Sequence, residues 1–367
     1  MTEMDRFRLR DKDLADSIFK KIKEMNLKIR LMHVCGTHQD TLVRYGLEGN
    51  LKDVGVEIRQ GPGCPVCVTT PKEIEEALVL TGKGKKMVVF GDMLKVPGAS
   101  GSLADAKTKG GDVQIVYGVD DAVNIAAQTD KDVVFMAVGF ETTIPSIAMA
   151  IKRVKETRKT DNFSIISCHR VVPPALRTLI ELGEVKLHGL IEPGHVSTII
   201  GAAPYEFLSE KYNVPQVIAG FEPIDLLMGI YMLGKQIEKG EAKVEIEYTR
   251  SVKYEGNQKA VAVIDEVFEA HDVKWRGFPE IPDSGLQLKK EFQDYDARRL
   301  FADDLSEIAD MEFPEPKGCK CGDVLRGVIY SDECPLFGTT CTPENPVGPC
   351  MVSAEGSCNI LLKYGRK

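Results

Sequence analysis

The chain has 367 residues, of which 43% are hydrophobic and 28% charged, and its formal net charge is −8. That length exceeds one ordinary core and implies two or three domains of roughly 100–150 residues each. No basic stripe interrupts the acidic balance, which argues against a nucleic-acid partner. Met1 to Leu14 is densely charged, and no stretch approaches the ~18 apolar residues of a membrane span, so the expectation is a cytoplasmic protein with no membrane partner.

The first element expected in chain order is a helix from Asp11 to Met25. From Lys28 to about Gln236, short β-branched runs alternate with amphipathic stretches, the pattern of βα units around a parallel sheet. The strands expected are Ile29–Val34, Val56–Gln60, Met87–Phe90, Val113–Tyr117, Val133–Val138, Ser164–Ser167, Leu187–Ile191 and Gln216–Ala219. Thr70-Pro71-Lys72-Glu73 reads as a capping threonine, a proline at the first helical position and a reciprocal glutamate, starting a helix that runs to about Thr81. After Gly240 come a strand at Lys243–Tyr248, a helical pattern from Lys259 to Ala270, and a Pro- and Cys-rich tail. The fold class expected is α/β, with two Rossmann-like parallel-sheet domains, 28–130 and 131–238. A third α/β domain, 239–367, ends in the Cys-rich tail, and the N-terminal helix in 1–27 is free to pack with it or elsewhere, since the sequence does not say where.

Ten cysteines are many for a reducing compartment, where cysteine more often means metal or redox chemistry than structural disulfides. Six fall in the tail, at Cys319, Cys321, Cys334, Cys341, Cys350 and Cys358, among Gly and Pro turns with little apolar periodicity. Thiolate coordination can replace a core there, because binding energy becomes folding energy. The tail lacks the paired Cys-x-x-Cys knuckles of a zinc ribbon, which favours a [4Fe-4S] cluster over structural zinc. Four thiolates suffice for a cubane, leaving two as a redox pair or as free thiols.

Gly61-Pro-Gly-Cys64-Pro-Val-Cys67 lies between a strand and the capped helix, where helix-end amides lower a thiol pKa. Either cysteine there could be nucleophile, ligand or disulfide partner; the bland reading is a structural metal half-site. His33-Val-Cys35-Gly-Thr-His38 ends the first strand, where open α/β sheets place their ligand sites. Cys35 with His38 nearby suits a soft metal such as low-spin iron or a Cys–His nucleophile, against the plain alternative of a buried small hydrophobe. Glu141 and His195 each follow a strand and could move protons at one sheet edge, or serve only as a cap and a satisfied core histidine. Cys168, His169, His188 and His271 take the structural reading.

Taken together, Cys35-Gly-Thr-His38, Gly61-Pro-Gly-Cys64-Pro-Val-Cys67, Gly139-Phe-Glu-Thr-Thr143, Glu192-Pro-Gly-His195-Val-Ser197 and Cys341-Thr-Pro-Glu-Asn-Pro-Val-Gly-Pro-Cys350 resemble the HypD family over nearly the whole chain. One departure is Gln39, where the family motif carries glutamate. The resemblance implies a scaffold for nickel-iron hydrogenase maturation rather than a simple turnover enzyme. With a HypC-type chaperone, it would hold iron while two cyanides and a carbonyl are added. HypE acting with HypF would supply the cyanide, and the Fe(CN)2CO unit would pass to the hydrogenase large subunit.

On this resemblance Cys35 is the iron ligand and Cys64 and Cys67 form a redox pair, while His38, Glu141, Thr142, Thr143 and His195 serve the cleft. Similarity of the tail to ferredoxin:thioredoxin reductase implies Cys319, Cys334, Cys341 and Cys358 as cluster ligands and Cys321 with Cys350 as the relay thiols, with Cys319 and Cys321 interchangeable. Two rivals carry different expectations: a stand-alone iron-sulfur thiol-disulfide oxidoreductase would not need Cys35, and a zinc-stabilised interaction module would be colourless. No Gly-x4-Gly-Lys-Ser/Thr phosphate loop is present.

Overall fold

The β-branched runs fold into two parallel sheets. The computed structural model describes residues 11–158 and 160–365, so segment 1–10 of the charged N-terminus lies outside the described residues. In chain order the strands are β1 (Ile29–His33), β2 (Val56–Gln60), β3 (Lys86–Phe90), β4 (Val113–Val116), β5 (Val133–Gly139), β6 (Phe163–His169), β7 (Gly189–Pro193), β8 (Gln216–Ala219), β9 (Val244–Ile246), β10 (Phe268–Lys274) and β11 (Glu280–Leu288). The first sheet has the order β2-β1-β7-β8-β9 and the second β4-β3-β5-β6. Every pairing within them is parallel. β10 and β11 make a separate antiparallel hairpin.

Sheet membership departs from the contiguous division expected at residue 130. β1 and β2 share a sheet with β7 and β8, and the four strands of the second sheet, β3 to β6, all fall between them in the chain. Alternation of strand and helix signals βα units but carries no information on which strands pair, so a nested arrangement reads in sequence like two consecutive ones. The segment after residue 239 is divided in the same way. β9 extends the first sheet beside β8. The hairpin packs by the second sheet, where Val171 N donates to Ser284 O at 2.9 Å. The helix expected to reach Ala270 ends at Val267, and the chain turns directly into β10.

The opening helix, α1 (Lys12–Glu24), is capped by Asp11, whose side chain accepts from Leu14 N. Its buried Ile18 and Ile22 join Leu31, Ile191 and Leu233 in the core on the outer face of the first sheet. α1 packs against the helix Pro223–Lys239 rather than the tail, because its apolar stripe finds its partner there. Along β1, Leu31 belongs to that outer core while Met32 joins the core between the sheets, the alternation that a two-sided strand requires. Further helices are α2 (Gly36–Arg44), α3 (Leu47–Asp53), α4 (Pro65–Val68) and α5 (Pro71–Gly82). The cap of α5 is closed from both sides by Thr70 and Glu73. Among the described residues no helix is long and apolar enough to cross a membrane.

Candidate functional site

Each sheet has one place where the strand order reverses, and connections leave in opposite directions there, opening a crevice at the carboxyl ends. In the first sheet it lies between β1 and β7, and in the second between β3 and β5. The two crevices face one another across a cavity of about 290 Å³. Its wall takes Val34 and Cys35 from just after β1, Pro193 from the end of β7 and His195 from the helix that follows, Phe90 from the end of β3 and Asp92 from the turn after it, and Thr142 and Thr143 from the turn after β5. Glu355, from the tail, closes one side.

Cys35 stands at the N-cap of α2. The tight fit around it explains the glycines of both neighbouring motifs. A Cβ on Gly63 would overlap the backbone of Val34 and Cys35, and one on Gly36 would overlap Glu355. The Gly63 carbonyl accepts from Gly36 N at 3.1 Å, which fixes the Cys64 loop against Cys35. Burial pushes the Cys35 thiol up to about 11, against hydrogen bonds from the His38 and Thr37 amides that favour the thiolate.

Cys64 and Cys67 are joined as a disulfide across α4, with Cys64 Sγ accepting from Cys67 N at 3.2 Å. Both are buried. Behind them, α4 packs against the helix Pro349–Val352, which carries Cys350. All six tail cysteines line a single small pocket together with Leu336, Phe337 and Met351. Cys350 shares sulfur hydrogen bonds with Cys321 and Cys358, whereas negative charge on Cys334 or Cys358 would act on Cys319 and Cys341. Gly348 leaves room for Cys319 Sγ, which a Cβ there would meet at 2.6 Å. Six thiols in one apolar pocket is a donor set suited to iron and sulfide. Among the described residues no group of three or more His, Cys, Asp or Glu side chains is arranged to hold a single metal ion.

The remaining side chains singled out in the sequence divide between the cavity and its support. Thr142, Thr143 and His195 line the cavity. His195 stacks on Phe221 with ring centroids 3.8 Å apart, and burial lowers its pKa. His38 does not reach the cavity; it is buried behind Cys35, where its Nε2–H is shared by the carbonyls of Gly220 at 3.0 Å and Ala219 at 3.3 Å. Burial lowers the His38 pKa to about 3, so the ring is neutral. Gln39 accepts from His33 Nε2 at 2.6 Å, a neutral pair in the same layer. Glu141 is also behind the wall, accepting from Val172 N at 2.9 Å, and burial raises its pKa to about 7. Cys168 and His169 lie in the core of β6, and His188 Nδ1 accepts from Arg30 N at 2.9 Å.

Sequence reasoning missed Asp92, Glu355, Glu192 and Tyr205. Glu192 sits inside a quoted motif, yet an isolated acid among apolar strand residues was the signal that would have marked it as buried.

Fold and site define an α/β protein whose paired sheets present one cysteine in a cavity, backed by a disulfide and a six-cysteine pocket. A family model described as HypD, "Hydrogenase formation hypA family", matches residues 11–365. Hydrogenase maturation factor HypD2 of Bradyrhizobium diazoefficiens is 42% identical, over 97% of this chain and 96% of its own. Hydrogenase maturation factors HypD of Cupriavidus necator and Rhizobium leguminosarum bv. viciae are 40% and 41% identical, each over 97% of this chain and over 96% and 94% of their own. The chain belongs to the HypD family of hydrogenase maturation factors.

Proposed function

We propose that the protein is an iron-sulfur scaffold and electron donor that, with a HypC-type chaperone, assembles the Fe(CN)2CO unit of nickel-iron hydrogenase. The observation that carries this reading is the convergence of both sheet crevices on Cys35, with the Cys64–Cys67 pair beside it and the six-cysteine pocket behind that pair. Cys35 would bind the cargo iron through its thiolate, a soft ligand suited to a strong-field ion, and the chaperone would supply a second sulfur. Thr142, Thr143 and His195 would orient the ligands on that iron from the facing wall, and His38 would hold the Cys35 loop through its amide.

Cys319, Cys334, Cys341 and Cys358 would hold a [4Fe-4S] cluster, which supplies single electrons when bound. Cys321 and Cys350, in the same pocket, would relay electrons between that cluster and the Cys64–Cys67 disulfide. HypE with HypF would act as the cyanide donor, and the hydrogenase large subunit would receive the product. Eight free cysteines suit the cytoplasm, where thiols stay reduced. The burial of Cys64 and Cys67 favours an internal redox partner over a foreign protein disulfide, the substrate that a stand-alone thiol-disulfide oxidoreductase would need.

The test is anaerobic co-purification with the chaperone, iron and zinc analysis, and an infrared scan. Cyanide and carbonyl stretches that disappear in Cys35→Ala, with cluster iron and fold retained, are the expected result. Zinc without iron would overturn the cluster assignment, and full maturation by the Cys35→Ala variant would overturn the iron-ligand assignment.

A further inference from the structure

Arg276 is fully buried in the turn between β10 and β11, where it holds the end of α4 at two successive carbonyls. Its backbone amide donates to Val68 O at 2.9 Å and its Nε–H to Thr69 O at 2.9 Å, and the guanidinium also pairs with exposed Glu315. Val68 and Thr69 directly follow Cys67. The same turn meets the Cys-rich tail. Gly277 lies backbone to backbone against Gly322, so that a Cβ on Gly322 would meet Gly277 Cα at 2.8 Å and one on Gly277 would overlap Gly322 outright. Gly277 O accepts from Arg326 Nη1, and Arg326 Nη2 donates to Asp323 at 2.8 Å in the helix Cys321–Leu325. Cys67 and Cys321, far apart in the chain, are thus joined through Val68, Arg276, Gly277 and Gly322.

A single turn such as α4 has little stability of its own, and its last carbonyls have no partner within the helix. Whatever binds those carbonyls decides where Cys67 sits. The other end is already fixed, since Gly36 N and Gly63 O tie the Cys64 loop to Cys35. A guanidinium sealed in a turn is costly to desolvate, and an apolar side chain would fill the space at lower cost. Arg276 Nη2 finds no acceptor among the described residues, so the contact is not built for stability alone. What the arginine supplies is a directed hold on the residues that follow Cys67.

We propose that Arg276 is a positioning residue for the redox pair: with Gly277 it straps the end of α4 to the Cys321 helix, and so sets how fast the tail thiols Cys321 and Cys350 exchange with the Cys64–Cys67 disulfide. The proposal rests on the relay reading above for the direction of that exchange. In it, one tail thiolate attacks a sulfur of the pair, the Cys64–Cys67 S–S bond breaks, and the second tail thiolate closes a Cys321–Cys350 bond. Two electrons pass to the pair, and the two protons of the tail thiols end on Cys64 and Cys67. Arg276 takes neither proton nor electron. It acts through placement, and a misplacement on the order of 1 Å can slow such a reaction roughly a hundredfold.

The experiment traps the exchange halfway. In the full chain, purified anaerobically, Cys64→Ser and Cys67→Ser each leave one thiol of the pair. Diamide, which takes up two electrons and two protons, then joins that thiol to a tail cysteine as a mixed disulfide, read by mass spectrometry of the linked peptides. On the faster-linking background, Arg276→Met should slow linkage roughly tenfold to a hundredfold while outside alkylation of the remaining thiol stays as slow as before. Arg276→Lys should recover part of the rate, because an ammonium still reaches one carbonyl. Should Arg276→Met fail to fold, Arg326→Gln, at a partly exposed residue, releases the strap from its tail end and is expected to slow linkage about tenfold. Linkage as fast in the strap variants as in their background overturns the proposal and leaves the relay standing. Slow linkage accompanied by faster alkylation would mean a loosened chain and overturns it as well. No linkage to Cys321 or Cys350 in either background overturns the relay and the strap together.

Discussion

Asp92 accepts a hydrogen bond from Ser353 Oγ at 2.8 Å and a second from the adjacent Ala354 amide at 3.1 Å. Asp92 belongs to the turn after β3, at the crevice of the second sheet, and Ser353 to the Cys-rich tail, so one carboxylate holds the tail, and Glu355 with it, against the cavity. Ser353 is buried. Replacing Asp92 with alanine leaves that hydroxyl without its acceptor, at an expected cost of about 1–3 kcal/mol. Chemical denaturation should show the loss, and hydrogen exchange should accelerate at 353–356 while the amides of α5 keep their protection.

Two glycines make a matched comparison. Gly63→Ala places a methyl group in the backbone of Val34 and Cys35 and should lower stability by roughly 1–3 kcal/mol, the usual range for overpacking. Gly49, inside α3, has nothing within 4 Å of a Cβ, and Gly49→Ala should stabilise by about 0.5–1 kcal/mol. Thermal unfolding of both variants checks the pair, and equal effects would mean that the Cys35 loop tolerates the methyl group.

The Cys35 thiol should alkylate slowly. A pKa moved from 9.0 to about 11 reduces the thiolate fraction at neutral pH about a hundredfold. Iodoacetamide labelling followed by mass spectrometry should therefore show a rate well below that of an exposed cysteine peptide, rising steeply between pH 8 and pH 11. A fast rate at pH 7 would mean that the thiolate is already stabilised by the His38 and Thr37 amides.

The pH dependence of stability carries a signature of Glu192. Its folded pKa of about 8 lies above the ordinary value of 4.5, so the folded chain binds the proton more tightly than the unfolded one. Its contribution is fully present below pH 4.5 and is lost as pH rises from there through 8, with a slope approaching 1.4 kcal/mol per pH unit. Glu192→Gln should lack that decline, so the difference between variant and wild type grows from pH 5 to pH 8 in denaturant titrations. His33 and His38 act in the opposite direction. Burial lowers their pKa values to about 4 and 3, so stability falls as pH drops below 6.5 in both proteins alike.

Much of the fold was legible because its signals are local. Val56–Gln60 and Gln216–Ala219 form strands over the residues expected, and the Thr70 cap begins its helix as read, since β-branched runs and capping chemistry depend on near neighbours. The pairing of β1 with β7 was not legible, because it joins segments separated by the whole second sheet. The site divides in the same way. Cys35 at a strand end could be read from the motif, whereas the wall built by Asp92, Thr142 and Thr143 depends on two sheets facing each other. His38, beside Cys35 in sequence, turns inward to the carbonyls of Ala219 and Gly220, a direction that no spacing rule reveals.

The nesting of one sheet between the strands of the other imposes an order on synthesis. β1 and β2 leave the ribosome first, but β7 follows only after residues 61–188, on the order of ten seconds later at ordinary translation rates. In that interval β3 to β6 form a contiguous set that can pair and fold, while β1 waits with its β7 edge open. The helix bearing Cys350 emerges long after Cys64 and Cys67. Cys64 and Cys67 therefore stay uncovered until that helix packs on α4, and outside thiols reach the pair only before that step.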